Sequence, residues 1–130
     1  MKKPTQIHQF DPVIYPFKLW VTCTNKYGPL NDRFKNAYSG KDLDKDYLDN
    51  HEAVTYLVQE RESGRYGCLV AFTERKFFSI SNMAHESSHV VDFLFEHIGE
   101  KNIGDEAKAY LMGWAVDCAN QVRTNKFKNN

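Results

Sequence analysis

Residues 79–99 carry the clearest periodic pattern in the sequence and constrain the fold more than any other stretch. At about 100° per residue, one side of a helix over these residues collects apolar side chains, namely Met83, Val90, Val91, Leu94 and Ile98. The opposite side carries a narrow polar stripe made of His85, His89, Asp92 and Glu96. The pattern predicts an amphipathic helix that packs one face against a core, with Ser79 or Ser81 as its N-cap and Gly99 as its end.

Two histidines of this stripe stand four residues apart in the sequence His85-Glu86-Ser87-Ser88-His89. On a helix, this spacing places both imidazoles on one face about one turn apart, as two ligands of a single zinc ion require. Glu86 adds a carboxylate beside the first histidine, which favours a metalloprotease-type site. The alternative is a polar stripe that is merely solvated, as on any surface helix.

A second helix is predicted from about Asp105 to about Arg123. Its polar stripe contains Glu106, Tyr110, Gly113 and Asp117, and its apolar face contains Leu111, Ala115, Ala119 and Val122. Two polar stripes that face each other would enclose a site. A glycine inside a helix costs roughly 1 kcal/mol relative to alanine, so Gly113 indicates either close approach of the first helix or a chance glycine.

The rest of the chain predicts a small sheet in front of these helices. Residues 1–12 are expected to form a flexible polar leader, residues 13–24 a strand, and the stretch containing Phe34, Ala37 and Tyr38 a short helix that ends at Gly40. Residues 53–60 and 67–73 predict two strands of a hairpin. The expected fold class is α+β, in which a small antiparallel or mixed sheet is followed by two packed C-terminal helices.

The histidine motif, followed by Glu106-Ala107-Lys108-Ala109-Tyr110, resembles the zincin metallopeptidases of the gluzincin type, in which a downstream helix supplies a glutamate ligand. More narrowly, it is similar to short zincin-like proteins of phage and prophage genomes that carry a Glu-x-x-Ala-Tyr helix. The resemblance covers residues 80–122 and implies a minimal zincin-like domain. It also implies an exposed edge strand that binds an extended peptide by backbone pairing, for which residues 67–73 are the candidate. An interior strand is the alternative reading of residues 67–73.

The expected metal ligands are His85, His89 and a third residue, because catalytic zinc uses three protein ligands and one open position. The resemblance and the helical stripe both favour Glu106. The alternative for Glu106 is a carboxylate placed by the helix dipole. A tight antiparallel turn would bring Asp117 level with His89, so residues 99–105 would have to run back along the first helix. Asp92 is the runner-up, as a ligand or as a carboxylate that orients a histidine.

With zinc bound, a water molecule loses its proton to Glu86 and attacks a peptide carbonyl, so the expected activity is peptide hydrolysis. Tyr110 is the candidate donor to the developing oxyanion, although a core tyrosine is the common alternative. Manganese, cobalt or nickel would also accept these ligands. The rival hypothesis is a catalytically silent zincin-like binding protein, for example a phage factor that acts on a host protein.

Length and composition are consistent with one folded domain in a reducing compartment. The 130 residues carry 17 basic and 17 acidic side chains, so a net charge of zero favours neither nucleic acid nor an anionic membrane as partner. No apolar run approaches the roughly 20 residues of a membrane span. The three cysteines, Cys23, Cys68 and Cys118, form no paired motif. They indicate free thiols and a cytoplasmic location.

Overall fold

The computed structural model describes residues 4–99 and 104–128. The elements, in chain order, are β1 (Ile7–Phe10), β2 (Lys18–Cys23), α1 (Tyr27–Arg33), β3 (Phe34–Asn36), α2 (Lys45–Asp49), β4 (Ala53–Glu60), β5 (Tyr66–Phe72), a 3₁₀ turn (Arg75–Phe77), α3 (Ile80–Ile98) and α4 (Asp105–Thr124). None of the helices in these described ranges combines the length and apolar content that crossing a bilayer requires.

The strands form one mixed sheet in the order β1-β2-β5-β4-β3. β2 and β5 run parallel, and every other neighbouring pair is antiparallel. The two long helices α3 and α4 follow the sheet and pack against each other. The predicted fold class, an α+β domain with a mixed sheet followed by two packed C-terminal helices, is therefore confirmed.

Helices cover both faces of the sheet. On one face, α3 and α4 enclose a core of residues that includes Leu19, Val70, Leu94 and Ala115. On the other face, the segments around α1 and α2 cover a second cluster, centred on Trp20, Phe34, Val54 and Leu69. β4 alternates strictly between the two cores, because successive side chains of a strand point to opposite faces.

Among the elements that differ from the sequence prediction are two short strands. Residues 7–10, expected within a flexible leader, form β1, and the Trp20 indole donates a 3.0 Å hydrogen bond to the Gln9 side chain. Residues 34–36, expected in a short helix, form β3 and pair with residues 58–60. Both strands lie at the edges of the sheet, where pairing with a distant segment outweighs weak local preference.

The two long helices closely match their predicted limits. Ser79 caps α3 by accepting a 3.0 Å hydrogen bond from the Asn82 amide, and Gly99 ends it in the left-handed conformation at φ 76°. The predicted apolar residues Met83, Val90, Val91 and Leu94 are buried. The close-approach interpretation of Gly113 is wrong, because a Cβ at this position would meet no atom within 4 Å.

One part of the β4 edge is open. Hydrogen bonds from Thr73 to Glu52 and from Glu60 to Arg65 fix the register with β5, so odd-numbered residues of β4 direct their backbone groups away from β5. On that outer side β3 pairs with residues 58–60, and the Ala37 amide donates to the Leu57 carbonyl at 3.1 Å. Within the described ranges, no strand pairs with the outer side of residues 53–56.

This arrangement overturns the prediction of residues 67–73 as the edge strand. β5 occupies the centre of the sheet and pairs with β2 on one side and β4 on the other. Its residues from Gly67 to Phe72 are buried, as expected of a strand covered by helices on both faces. The open edge next to α3 belongs to β4 instead.

Candidate active site

His85 and His89 lie together on the exposed side of α3. Their Nε2 atoms are 3.2 Å apart, and the rings meet edge to face with centroids 4.8 Å apart. Two nitrogen ligands in a zinc tetrahedron, each about 2.0–2.1 Å from the metal, are themselves roughly 3.3–3.4 Å apart. The imidazole pair therefore has the nitrogen spacing of a zinc site. The same spacing also fits an N–H···N hydrogen bond between two neutral rings.

Glu86 follows His85 on the helix and turns inward toward β4. The residue is only 4% exposed. Its Oε1 accepts a 2.8 Å hydrogen bond from the Thr55 hydroxyl, and its Oε2 lies 3.9 Å from His85 Nε2. One carboxylate oxygen is thus held by the sheet, while the other faces the histidine pair.

Thr55 is a site residue that the sequence analysis did not identify. It lies in β4 between Ala53 and Leu57, both of which belong to the core under α3. A hydroxyl at this buried position needs a partner, because an unpaired buried polar group is costly. The available signal was a polar residue flanked at i−2 and i+2 by apolar residues, on the inward side of a strand that precedes the histidine helix.

Tyr47 of α2 brings a phenol to the same end of β4. Its half-buried ring meets the Tyr56 ring edge to face at 5.3 Å. Burial raises the pKa of Tyr47, and the charge of Glu86 raises it further. The phenol is therefore held in a partly buried position beside β4.

Two polar bridges frame the histidine stripe. Near the start of α3, the Asn82 side chain donates a 3.2 Å hydrogen bond to Glu52, which directly precedes β4. Near its end, the Tyr38 hydroxyl donates a 2.7 Å hydrogen bond to Glu96. The bridges tie both ends of the stripe to segments flanking the sheet, and the histidines lie between them.

Neither predicted third ligand forms a three-residue metal-binding group with the histidine pair in the described part of the chain. Glu106 is exposed in the first turn of α4, and Asp92 is exposed on α3. Over residues 4–99 and 104–128, no three His, Cys, Asp or Glu side chains are grouped so as to hold a metal ion. The structure thus brings together His85, His89 and Glu86, without Glu106 or Asp92.

The polar stripe of α4 faces away from that of α3. Tyr110 is 77% exposed and lines an apolar groove of about 410 Å³ together with Val13, Ile14 and Trp114. Asp117 accepts hydrogen bonds from Gln121 and Lys128. The two helices pack through their apolar faces, so their polar stripes diverge.

A continuous polar path runs from the Thr55 hydroxyl through the Glu86 carboxylate to the two imidazoles. It offers two nitrogen donors of the type that zinc prefers, with a buried carboxylate next to them that can accept a proton. Comparisons with protein-family models, with curated proteins and with solved structures return no match to this chain.

Proposed function

We propose that this protein is a zinc-dependent peptidase in which His85 and His89 bind the metal and Glu86 is the general base. The observation that carries the proposal is the 3.2 Å separation of the two Nε2 atoms beside a buried carboxylate. Neutral imidazole is a common zinc ligand, and the nitrogen spacing fits a tetrahedral site. The two histidines and the adjacent glutamate match the composition expected for metal-assisted hydrolysis.

Bound zinc would supply a Lewis acid that polarises a peptide carbonyl and lowers the pKa of water. Glu86 accepts the proton of the attacking water and then passes it to the leaving amine. The hydrogen bond from Thr55 to Oε1 keeps the carboxylate in one orientation and leaves Oε2 on the histidine side. Thr55 is thus a positioning residue for the base.

The open edge of β4 supports a peptide as the substrate class. Ala53 and Thr55 direct their backbone N–H and C=O groups outward, and an extended peptide pairs with such groups by strand addition. Thr55 also contacts Glu86 through its side chain. A peptide paired at Thr55 would therefore pass next to the general base.

Glu106 is our proposed third ligand, with Asp92 as runner-up, because a catalytic zinc site uses three protein ligands and one open position. Residues 104–110 are all exposed, and Leu111 is the first buried residue of α4. Core packing therefore does not fix the position of Glu106. Binding of the metal is proposed to recruit it.

The second candidate function is a zincin-like binding protein without catalysis, for example a phage factor that acts on a host protein. The observation that favours it is that the described residues bring only two metal-binding side chains together, beside a carboxylate held by Thr55. Under this alternative, the open β4 edge would bind a protein segment without cleaving it.

Elemental analysis of the purified protein, followed by digestion of a peptide library with and without a chelator, tests the proposal. We expect about one zinc per chain and cleavage that the chelator abolishes. Glu86→Gln should keep the metal and lose roughly 10²–10⁴-fold in turnover, whereas Glu62→Gln, at an exposed position in the β4–β5 hairpin, should not change turnover. Stoichiometric metal without cleavage would favour the binding protein, and full activity of Glu86→Gln would exclude Glu86 as the base.

A further inference from the structure

The parallel strands β2 and β5 end level with each other, since Cys23 pairs with Phe72 at the last position of their register. From β2 the chain passes to α1, whose Leu30 is buried in the core on one face of the sheet. From β5 it passes to α3, whose Met83 is buried in the core on the opposite face. When the connections of two parallel neighbours leave toward opposite faces, a crevice opens at the carboxyl ends of the strands, where ligands bind in open sheets.

A cavity of about 620 Å³ lies at this crevice, and we call it the strand-end cavity. Its walls include Cys23, Thr24 and Lys26 from the end of β2, and Thr73 and Arg75 from the end of β5. Pockets for small organic molecules measure about 300–1,000 Å³, so this cavity has room for more than a single ion. None of the residues of the candidate active site lines it.

Two permanent cations, Lys26 and Arg75, line the strand-end cavity, and none of its described lining residues is an aspartate or a glutamate. Over residues 4–99 and 104–128, neither cation forms an ion pair. The acidic side chains of Glu52 and Glu74 line an adjoining cavity instead. A cleft lined by charges of one sign concentrates ligands of the opposite sign. The strand-end cavity therefore favours an anion.

The Arg75 guanidinium is held in place and keeps free donors. Its Nη2 donates hydrogen bonds to the carbonyls of Val122 and Arg123 at the end of α4, and its central carbon lies 5.6 Å from the centre of the Phe78 ring. A guanidinium has five N–H donors. In the described part of the chain only Nη2 is used, so the donors of Nε and Nη1 remain available for the oxygens of an anion.

We propose that the strand-end cavity binds a small sugar phosphate, whose phosphate group contacts Lys26 and Arg75. A phosphate monoester carries a charge of about −1.5 to −2 at pH 7, which matches two cations better than the single charge of a carboxylate does. The amide side chains of Gln6, Asn25 and Asn125 also line the cavity and can bind sugar hydroxyls. This site is separate from the proposed peptidase centre and requires neither zinc nor turnover.

NMR titration of the isotope-labelled protein with ribose 5-phosphate tests the proposal. The buffer contains no added metal and is kept at constant ionic strength, because salt screens exposed charges. We expect the backbone amide signals of Thr24, Lys26 and Arg75 to shift until the site is saturated. Ribose alone should shift none of them, and inorganic phosphate should shift them with lower affinity because it lacks the sugar.

Three variants locate the binding site. Lys26→Gln and Arg75→Gln each remove one charge from the strand-end cavity, whereas the matched control Lys108→Gln removes an exposed charge of α4 that does not line it. We expect each cavity variant to bind ribose 5-phosphate roughly three- to tenfold more weakly, as for one partly exposed charged contact. Lys108→Gln should bind like the wild type. If loss of the α4 contacts unfolds Arg75→Gln, the Lys26 variant alone decides.

Several outcomes would overturn the proposal. These are the absence of shifts with ribose 5-phosphate, equal affinities of Lys26→Gln and Lys108→Gln, and acetate binding as tightly as inorganic phosphate. The double variant His85→Ala/His89→Ala should bind ribose 5-phosphate like the wild type, because the histidine pair does not line the cavity. Loss of binding in this variant would place the phosphate at the histidines and overturn the strand-end site.

Discussion

The Thr55 hydroxyl donates a 2.8 Å hydrogen bond to Glu86 Oε1, and both side chains are buried between β4 and α3. A buried carboxylate needs such a partner, because removal from water is costly for a charged group. The same hydrogen bond therefore stabilises the fold and orients the proposed general base. Loss of the Thr55 hydroxyl would leave a buried carboxylate without its hydrogen-bond donor.

Replacement of Thr55 by Val should destabilise the fold by about 1–3 kcal/mol, because it leaves a buried acceptor unsatisfied while keeping the side-chain shape. Thr55→Ser keeps the hydroxyl and should retain more of the stability. Urea unfolding of the three proteins measures the difference. If the Val and Ser variants are equally stable, the hydrogen bond makes no net contribution to folding.

Zinc should stabilise the folded protein through His85 and His89. A ligand that binds only the folded state adds about 2.7 kcal/mol at a concentration 100 times its dissociation constant, so the melting temperature should rise with added zinc. The double variant His85→Ala/His89→Ala should lose this rise. His51→Ala, which changes an exposed histidine on the loop before β4, serves as the control. An equal rise in the double variant would place the zinc elsewhere.

Replacement of Glu106 tests the third ligand. If Glu106 completes the site, Glu106→Gln should weaken zinc binding strongly, because a catalytic site with three protein ligands would lose one. Asp92→Asn should weaken zinc binding less, with a loss of affinity of up to about 10–100-fold if Asp92 orients a histidine. Competition titrations with a zinc-binding dye give both affinities. Wild-type affinity in both variants would restrict the ligands to the histidine pair, and a larger loss in Asp92→Asn would reverse the assignment.

Glu60, at the end of β4, should make the free energy of unfolding depend on pH in the acidic range. Burial raises the pKa of its carboxyl, but hydrogen bonds from Ser63 and Arg33 outweigh burial and leave the pKa below the ordinary value of 4.5. Because the folded pKa is lowered, the stabilisation is fully present above the unfolded pKa and is lost as pH falls through the folded value.

Between about pH 5 and pH 3, the wild-type protein should therefore lose more stability than Glu60→Gln. Urea unfolding at a series of pH values measures this difference, with the exposed Glu62→Gln as a control that should follow the wild type. Parallel curves for the wild type and Glu60→Gln would show that the Arg33 and Ser63 contacts do not favour the charged carboxyl in solution.

Local patterns predicted the elements whose signals lie within one segment. The limits of α3 follow from Ser79, Gly99 and the apolar period between them. The hairpin of β4 and β5 follows from two apolar runs separated by a turn with Gly64 in the left-handed conformation. In contrast, β1 and β3 are short edge strands that exist through pairing with distant residues, so no local period marks them.

The sequence by itself determined that two imidazoles share one helix face beside a glutamate, because the 3.6-residue period fixes that relation inside a single helix. Only the tertiary structure decided that Glu86 points to Thr55, that the open edge belongs to β4, and that α4 turns Tyr110 toward Ile14. These relations join segments far apart in the chain, and they depend on how apolar faces pack and how strands are ordered, which no local period encodes.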